Sequence, residues 1–232
     1  MTTRDWISFW NAEHSIYVNA RHREAHYRRI ADDIRRYVPA GGVVLDYGCG
    51  EALAADRVAE AAGRLVLCEA APNVRATLTA RFFGNAKIEV RAPDEVAAMP
   101  DGAFDLIVMH SVAQYLIGAV LDALLARFRR LLKPGGLLIL GDVIPLKVSA
   151  VTDALSLLRF GARESFFIAA ILGLVRTVFS SYWRLRATLG IARYGEADML
   201  AKLHASGYLP KRAAENIGHN PARMTFLARP VS

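Results

Sequence analysis

Five short, mainly apolar segments recur along the first part of the chain, and helix-forming segments separate them. The apolar segments lie at residues 43–45, 64–68, 87–90, 104–109 and 137–140. Strands that are buried on both faces of a sheet need apolar residues at almost every position. A helix between two consecutive strands provides the crossover that a parallel pair requires. The pattern therefore predicts an α/β fold, with a parallel sheet covered by helices on both faces.

The flanking regions are predicted to be mostly helical. The stretch after the fifth strand is too long for a simple connection, so we predict an insertion of two or three helices there. We divide the chain into a helical N-terminal cap (1–40), a core (41–142), a helical insertion or lid (143–194) and a closing helix with an antiparallel hairpin (195–232). These parts are short enough to form one domain.

A glycine-rich turn follows the first predicted strand. Asp46, Gly48 and Gly50 stand between that strand and an alanine-rich helix that begins near Ala52. Glycines let the backbone approach a ligand closely, and the helix offers free N–H groups to a carboxylate or phosphate. Glu69 ends the next strand, where an acidic side chain can bind both hydroxyls of a ribose. The turn lacks Gly-Lys-Ser/Thr, which excludes a nucleoside-triphosphate loop.

Four segments together resemble the motifs of the class I S-adenosylmethionine-dependent methyltransferases. They are Leu45-Asp46-x-Gly48-Cys49-Gly50, Glu69 after the second strand, Phe104-Asp105 with Val112–Leu116, and Leu132-Lys133-Pro134-Gly135-Gly136. The resemblance covers about residues 35–142 and the closing hairpin. It implies a Rossmann-like sheet of seven mostly parallel strands with an antiparallel last strand, and S-adenosylmethionine as the cofactor.

The resemblance also implies roles for residues at the strand ends. Asp46 and the backbone of Gly48 and Gly50 would hold the methionine end of the cofactor, and Glu69 would bind the ribose hydroxyls. His110 and Ser111 would lie beside the methionine part. The predicted cofactor contacts are Tyr17, Asp46, Gly48, Cys49, Gly50, Glu69, Ala70, Asp94, Glu95, His110 and Ser111.

Two positions depart from the family's pattern. The family's acidic residue after the third strand, which binds the adenine amino group, falls on Pro93, with Asp94 one place later. Either Asp94 serves through a one-residue shift, or the adenine is held by backbone alone. The third glycine of the turn is Ala52, a change that the turn should tolerate.

The chemistry expected of such a site places few demands on side chains. A methyl group on a sulfonium is already activated, so the protein chiefly aligns the acceptor and excludes water. A base is needed only where the acceptor must lose a proton, and the sequence shows no obvious one. We nevertheless place His110, Gln114 and Tyr115 in the catalytic site, the last two facing the acceptor.

The segment after the fourth strand narrows the choice of acceptor. The family's DNA-adenine enzymes carry Asn/Asp-Pro-Pro-Tyr/Phe there, whereas this chain has residues 110–113, His-Ser-Val-Ala. That difference argues against DNA adenine chemistry. Residues 112–116 resemble instead those of enzymes that methylate small molecules, quinones and lipids.

Aromatic residues mark the predicted cap: Trp6, Phe9, Trp10, Tyr17 and Tyr27. In similar methyltransferases such a segment covers the cofactor pocket, and a tyrosine often reaches the methionine carboxylate. Tyr17 is our candidate for that contact. Alternatively, these aromatics form a helix face that packs on the domain.

The net charge of +7 permits nucleic acid, anionic membranes or acidic substrates as partners, but its distribution is uneven. Residues 41–142 carry −2 and residues 143–232 carry +7. Residues 155–193 combine six arginines and one glutamate with many Leu, Phe and Ile residues. This suits a lid over a lipophilic acceptor or a helix at a membrane interface. A buried core or dimer helix and an RNA-binding surface are the alternatives.

We therefore predict an enzyme that methylates a small or lipid-like acceptor, with peripheral membrane contact through residues 155–193. The alternatives are an RNA or protein methyltransferase that uses the basic insertion, and a non-catalytic cofactor-binding protein. Nucleic acid is less favoured because the apolar run is continuous and lysines are scarce. The N-terminus lacks the apolar segment of a signal peptide, which predicts a cytoplasmic protein.

The cysteines and histidines predict no disulfide and no metal site. Cys49 and Cys68 are interpreted as small buried side chains. No Cys and His residues have zinc-ligand spacing. His14, His22, His26, His204 and His219 are expected to be ordinary surface or packing residues.

Overall fold

Each of the five apolar segments forms a strand in the computed structural model, which describes residues 3–11, 17–178 and 190–231. The strands are β1 (Val43–Tyr47), β2 (Arg64–Cys68), β3 (Ile88–Arg91), β4 (Phe104–His110), β5 (Leu132–Val143), β6 (Tyr208–Arg212) and β7 (Met224–Pro230). They form one sheet in the order β3-β2-β1-β4-β5-β7-β6. Strands β1 to β5 pair in parallel, and β7 is antiparallel to both of its neighbours. The predicted fold class is confirmed, with the antiparallel last strand.

Helices cover both faces of this sheet. They are α1 (Thr3–Asn11), α2 (Ala20–Arg35), α3 (Ala55–Ala61), α4 (Pro72–Arg81), α5 (Pro93–Ala97), α6 (Gly118–Leu131), α7 (Ala150–Arg163), α8 (Phe167–Val178) and α9 (Glu196–Ala205). Two clusters of buried apolar residues lie on the opposite faces of the central strands: Leu45 and Ile107 belong to one, Val44 and Leu106 to the other. This follows from the alternation of side chains along a strand.

Helix α2 connects the core with the insertion. Asn19 caps its first turn by accepting a hydrogen bond from the backbone of His22 at 2.8 Å. On one side Asp32 pairs with Arg57 of α3, at 2.8 Å. On the other side Arg28 binds Glu164, in the turn between α7 and α8. Helix α2 therefore fixes the insertion relative to the glycine turn.

The insertion contains α7 and α8 in the described residues. Phe160 and Phe166 are buried with Ala25 of α2, and together with Ala170 they form a third, smaller apolar cluster. Phe179, Tyr182, Trp183, Arg184 and Arg186, which contribute to the predicted character of the insertion, lie outside the described residues. No helix in the part of the chain that the structure describes is long and apolar enough to cross a bilayer.

Two local predictions differ from the structure. The predicted turn at residues 133–136 is a bulge inside β5, because pairing with β4 begins at Phe104–Leu132 and resumes, shifted, at Leu106–Leu137. The predicted strand at residues 208–217 ends at Arg212. Residues 213–223 form a loop instead, and this loop turns back over the carboxyl edge of the sheet to contact Asp142 and His110.

Candidate functional site

The carboxyl ends of β1 and β4 lie side by side at the point where the strand order reverses. In open α/β sheets this edge is where ligands bind. A cavity of about 1090 Å³ opens there and extends from the glycine turn to helix α1. Single ligand pockets usually measure roughly 300–1,000 Å³, so this one has room for a cofactor and an acceptor together.

The glycine turn brings backbone N–H groups to the wall of this cavity. Gly48 and Gly50 have φ angles of +76° and +57°, which favour glycine. A Cβ on Gly48 would lie 2.5 Å from Val112 Cγ2, and one on Gly50 would lie 2.8 Å from the Tyr27 hydroxyl. Ala52 also adopts a positive φ, +42°, so the turn accepts alanine at some strain. Close packing, and not only flexibility, requires the two glycines.

Glu69 braces the turn from the end of β2. Its Oε2 accepts a hydrogen bond from the Gly50 amide at 2.9 Å, and its Oε1 accepts one from the Ala71 amide at 2.8 Å. The side chain is buried and lines the cavity, as does Ala70. Each carboxylate oxygen retains a lone pair that can accept a further bond, so Glu69 can serve a ribose while it holds the turn.

Asp46 is the half-buried acid near the end of β1, on the wall of the cavity. Burial, with the nearby negative charge of Glu69, raises its pKa to about 7. Within the described part of the chain, no hydrogen bond reaches its carboxylate. An unpaired carboxylate that is shielded from much of the water is unfavourable when ionised, and a cationic group in the cavity would relieve that cost.

Tyr27, rather than Tyr17 alone, contacts the turn. Its hydroxyl accepts a hydrogen bond from the Glu51 amide at 3.0 Å. Tyr17 lies against it, with ring centroids 6.0 Å apart, and is hydrogen-bonded to it. Burial raises the pKa of both phenols, so both stay protonated. Sequence reasoning named Tyr27 only among the aromatics of the cap, because its contact with the turn joins residues 24 positions apart and has no local sequence signal.

Asp94 and Glu95 are not brought to the cavity. Glu95 turns back to cap α5, its Oε2 accepting from the Ala92 amide at 2.6 Å, and Asp94 is exposed. Pro93 lines the cavity in their place. The one-residue shift that would have brought Asp94 to the adenine is therefore absent, because the start of α5 directs both carboxylates to solvent.

His110 and Ser111, at the end of β4, lie on the cavity with both His110 nitrogens engaged. Nε2 is 3.1 Å from the Ile217 carbonyl oxygen, and Nδ1 is 3.1 Å from Ser111 Oγ. Ser111 Oγ in turn donates to Asp142 Oδ2 at 2.7 Å. Asp142 ends β5 and also lines the cavity, and sequence reasoning did not single it out.

His110 belongs to a cluster of four histidines that the sequence did not reveal. His26 lies 6.5 Å from His110 and 5.7 Å from His219, and His22 lies 6.2 Å from His26, between ring centroids. Burial lowers the pKa of His22 to about 4, and lowers the pKa values of His26 and His219 as well. Among the described residues, no three His, Cys, Asp or Glu side chains are placed to hold a metal ion.

The far end of the cavity is aromatic. Trp6 of α1 lies 4.5 Å from Tyr115, and Trp10 lies 5.9 Å from it, between ring centroids. Gln114 is 8% exposed, lines the same space, and its Oε1 has no hydrogen-bond partner in the part of the chain described. A buried amide oxygen without a donor is unfavourable, so this oxygen is available to an N–H or O–H of a ligand.

The two cysteines do not act as nucleophiles here. Cys49 and Cys68 both line the cavity, and both are buried and outside any disulfide. Burial raises the pKa of each thiol, and the charges of Asp46 and Glu69 add to the effect. Both therefore remain thiols at neutral pH.

Two kinds of comparison place the chain among known proteins. Residues 45–140 match the family model described as a methyltransferase domain. No curated protein matches the chain significantly in sequence. The matched residues contain the glycine turn, Glu69, β4 and most of β5.

Solved structures share the fold. DhpI, in its complex with SAH, has a TM-score of 0.64 at 15% identity, over 99% of this chain and 97% of that one. The 1,6-didemethyltoxoflavin-N1-methyltransferase of Burkholderia thailandensis has a TM-score of 0.60 at 15% identity, over 99% and 87%. The YcgJ protein of Bacillus subtilis has a TM-score of 0.56 at 15% identity, over 81% and 70%. At these identities the likeness establishes the fold.

Proposed function

We propose that this chain is a class I S-adenosylmethionine-dependent methyltransferase and that its acceptor is a small, planar organic molecule. The match of residues 45–140 to a methyltransferase domain supports the first part of the proposal. The observation that carries the proposal is the enclosure of the aromatic end of the cavity. Trp6 is only 4% exposed although it lines the cavity, so α1 covers this end. An enclosed site favours a small molecule over a polymer laid on the surface.

The residues on the cavity wall fit the cofactor. The unpaired carboxylate of Asp46 suits the ammonium of the methionine part, and the amides of the Gly48–Gly50 turn suit its carboxylate. Glu69 has lone pairs for the ribose hydroxyls, and Pro93 leaves the adenine to apolar and backbone contacts. When bound, S-adenosylmethionine supplies a methyl group already activated by a sulfonium.

The chain's own residues would orient the acceptor. Trp6, Trp10 and Tyr115 offer flat faces on which an aromatic ring stacks. Gln114 Oε1 would accept a hydrogen bond from the acceptor, which fixes its rotation. His110 lies at the end of β4, toward the sulfonium in the family's arrangement. Alignment and exclusion of water then supply most of the rate.

The molecule bound by one structural neighbour agrees with a small-molecule acceptor. The Burkholderia thailandensis structure holds 1,6-didemethyltoxoflavin together with S-adenosylhomocysteine. That neighbour thus acts on a small molecule, which supports a small-molecule acceptor for this chain.

A panel of acceptors tests the proposal through release of S-adenosylhomocysteine. We expect turnover with small phenols and hydroxylated heteroaromatics, and none with RNA or protein. Trp6→Ala should raise the acceptor KM at least tenfold while the affinity for S-adenosylhomocysteine stays unchanged. Phe83→Ala is the matched control, because Phe83 is 90% exposed and outside the cavity. Turnover confined to RNA or protein would overturn the proposal.

A lipid-like acceptor is the second candidate, favoured by a different observation. Helix α8 leaves a stripe of apolar side chains exposed: Phe167, Ile168, Ile171, Leu172 and Val175. Such a face suits an interface with acyl chains and would present a membrane-dissolved acceptor to the cavity.

A further inference from the structure

We propose that Asp142, Ser111 and His110 form a proton relay that takes the proton of the acceptor, so that the acceptor is an acidic O–H or N–H compound. This deepens the proposed function and rests on it. All three residues line the cavity, but Asp142 keeps one carboxylate oxygen for the acceptor, so Asp142 is the catalytic residue of the relay and Ser111 and His110 act through it.

The hydrogen bonds define the direction of the relay. The Ile217 carbonyl can only accept, so His110 Nε2 carries a hydrogen. Ser111 Oγ lies 3.1 Å from His110 Nδ1 and 2.7 Å from Asp142 Oδ2, yet its hydroxyl has a single hydrogen. If that hydrogen points to Asp142, the bond to Nδ1 needs a proton on Nδ1. If it points to Nδ1, the bond to Asp142 needs a proton on the carboxyl.

Both bonds can therefore form only when the three residues together hold one proton more than a neutral imidazole, a hydroxyl and a carboxylate contain. Without it, either Asp142 or His110 loses its contact with Ser111. Unmade hydrogen bonds in a partly buried site are unfavourable, so the arrangement has an intrinsic affinity for a proton. The remaining oxygen of Asp142, Oδ1, has only a long contact of 3.4 Å, with Asn216 Nδ2. It is the atom left for the acceptor.

Backbone strain supports a functional role for the pair at its centre. Ser111 has a φ of +57° and Asp142 a φ of +59°, both in the left-handed region. Such conformations are costly for residues other than glycine, and they concentrate at functional sites. Here they stand at the ends of adjacent parallel strands, with the Ser111 amide bonded to the Gly141 carbonyl at 3.0 Å.

Other charged groups surround the relay without completing it. His26 of α2 and His219 of the 213–223 loop face it, and burial lowers the pKa of each. Arg223 lines the cavity but is paired with Asp153 of α7 at 2.8 Å. The lowered pKa values make these two imidazoles poor proton acceptors, and an arginine accepts no proton, so the proton from the cavity is left to the relay that begins at Asp142.

The step balances without a further reactant. The acceptor's X–H bond breaks and its proton passes to Asp142. Ser111 Oγ takes a proton from Asp142 as it gives its own hydrogen to His110 Nδ1, so the Asp142 carboxylate and the Ser111 hydroxyl are restored and His110 becomes an imidazolium. The electron pair left on X forms the bond to the methyl carbon, while the methyl–sulfur bond breaks and its pair stays on sulfur. Phenols, enols and acidic heteroaromatic N–H groups need this help, whereas amines with a free lone pair do not.

The relay can be tested without knowledge of the acceptor. The protein, labelled with ¹⁵N-histidine and saturated with S-adenosylhomocysteine, is titrated by NMR, and the His110 ring signals are assigned with His110→Gln. Asp142→Asn should lower the titration midpoint of His110 by about one pH unit or more, because the anion that stabilises its imidazolium is gone. Asparagine tolerates the positive φ at this position, so the backbone is preserved.

Two further variants separate the relay from a simple field effect. Ser111→Gly removes the hydroxyl, keeps every charge and accepts the positive φ; it should also lower the midpoint. Asp153→Asn removes one negative charge outside the relay. It should leave the His110 midpoint within about 0.3 pH units of its value in the unmodified protein. A shift with Asp142→Asn and none with Ser111→Gly, or equal shifts with Asp142→Asn and Asp153→Asn, would overturn the relay.

A kinetic test uses nitrophenols of graded acidity as probes. Asp142→Asn should lower kcat roughly 100-fold for phenols that are neutral at the assay pH, with little change in KM. The loss should shrink toward none for phenols that are already ionised. An equal loss for neutral and ionised phenols contradicts the relay. No turnover of any phenol contradicts the proposed acceptor class, while the NMR result still decides whether the relay exists.

Discussion

Asp46 is the residue whose surroundings alter its chemistry most. It lies one residue before the end of β1, beside Leu67 of β2, where the sheet shields it in part from water and Glu69 adds a second negative charge. Partial burial disfavours the charged form and the two neighbouring negative charges repel each other, so without a ligand Asp46 takes up a proton easily, and its pKa is raised for these reasons. A bound cation changes that balance in favour of the ionised form.

This makes cofactor affinity dependent on pH. The pKa of Asp46 is raised to about 7, so below pH 7 the cofactor-free protein holds a proton that binding of the ammonium must expel. We expect the affinity for S-adenosylhomocysteine, measured by calorimetry, to be constant above pH 8. Below pH 7 it should fall by nearly tenfold per pH unit.

The matched variants for this prediction are Asp46→Asn and Asp56→Asn. The first should bind at least tenfold more weakly at pH 8 and without pH dependence. The second removes an exposed carboxylate of α3 and should leave the profile unchanged. An affinity in the unmodified protein that does not vary between pH 5.5 and 8 would show that Asp46 does not face the ammonium.

His22 makes the fold sensitive to acid. Its pKa is lowered from 6.5 to about 4, so between these values the unfolded chain binds a proton that the folded chain does not. The free energy of unfolding therefore falls as the pH drops from 6.5 to 4, by roughly 3 kcal/mol for this residue.

Urea unfolding at pH 7.0, 5.5 and 4.5 measures the slope of the free energy of unfolding against pH. His22→Gln should flatten it, and His204→Gln, on the exposed side of α9, should not. Equal slopes in all three proteins would contradict the burial argument.

Residues tied to a local motif could be predicted from the sequence, and residues tied to a distant partner could not. Gly48, Gly50 and Glu69 follow strands at recognisable spacing, and the structure brings them together. Asp142 has meaning only beside Ser111, 31 positions earlier in the chain, and the pairing depends on the register of β4 with β5. A single sequence does not give that register, so the pairing of Ser111 with Asp142 could not be predicted from it.

At the scale of elements, the packing of α8 on the chain before α2 determines how the insertion sits over the site. Gly173 is the point of contact: a Cβ there would lie 2.0 Å from Val18 Cγ1. His22 stacks on Phe166 beside it, with ring centroids 4.9 Å apart. A close helix contact of this kind depends on the small residue.

Gly173→Ala should therefore destabilise the protein by about 1–3 kcal/mol, through overpacking that outweighs the roughly 1 kcal/mol an alanine gains in a helix. Gly118→Ala, at the start of α6, is the matched control, because no atom lies within 4 Å of its Cβ position. It should be neutral or stabilising. Thermal unfolding of both variants decides; equal midpoints would mean that α8 does not pack on Val18.

The elements that sequence reasoning predicted correctly share a strong pattern of burial, as in β1, β2 and β4. The errors of sequence reasoning lie where hydrogen bonds, rather than burial, determine the local structure. The Lys133–Gly136 segment contains turn residues, yet Lys133 binds Asp105 at 2.7 Å and the segment stays in the strand as a bulge. The sequence predicts a strand at residues 213–217. In the structure Thr225 Oγ1 accepts a hydrogen bond from the Ile217 amide at 3.0 Å, which closes a loop.

At the scale of the whole molecule, charge and apolar surface coincide in the insertion. The surplus of positive charge lies in residues 143–232, and α7 exposes Arg159 and Arg163. Helix α8 next to it exposes Ile168 at 75%, Leu172 at 54% and Val175 at 61%. An apolar stripe accompanied by arginines is the combination that binds the surface of an anionic bilayer.

Vesicle flotation tests whether the insertion binds membranes or whether the enzyme acts on water-soluble acceptors without membrane contact. The protein should float with vesicles that contain phosphatidylglycerol and much less with pure phosphatidylcholine. The double variant Ile168→Gln, Leu172→Gln should lose at least 80% of the floating fraction, since each buried apolar side chain contributes roughly 1.5–3 kcal/mol. Phe83→Gln removes an equally exposed apolar side chain outside the insertion and should float normally. Affinity for S-adenosylhomocysteine should be the same in all variants, because α8 does not line the cavity. Flotation that is absent, or that persists in the double variant, would leave the stripe without a role at membranes and the acceptor among water-soluble compounds.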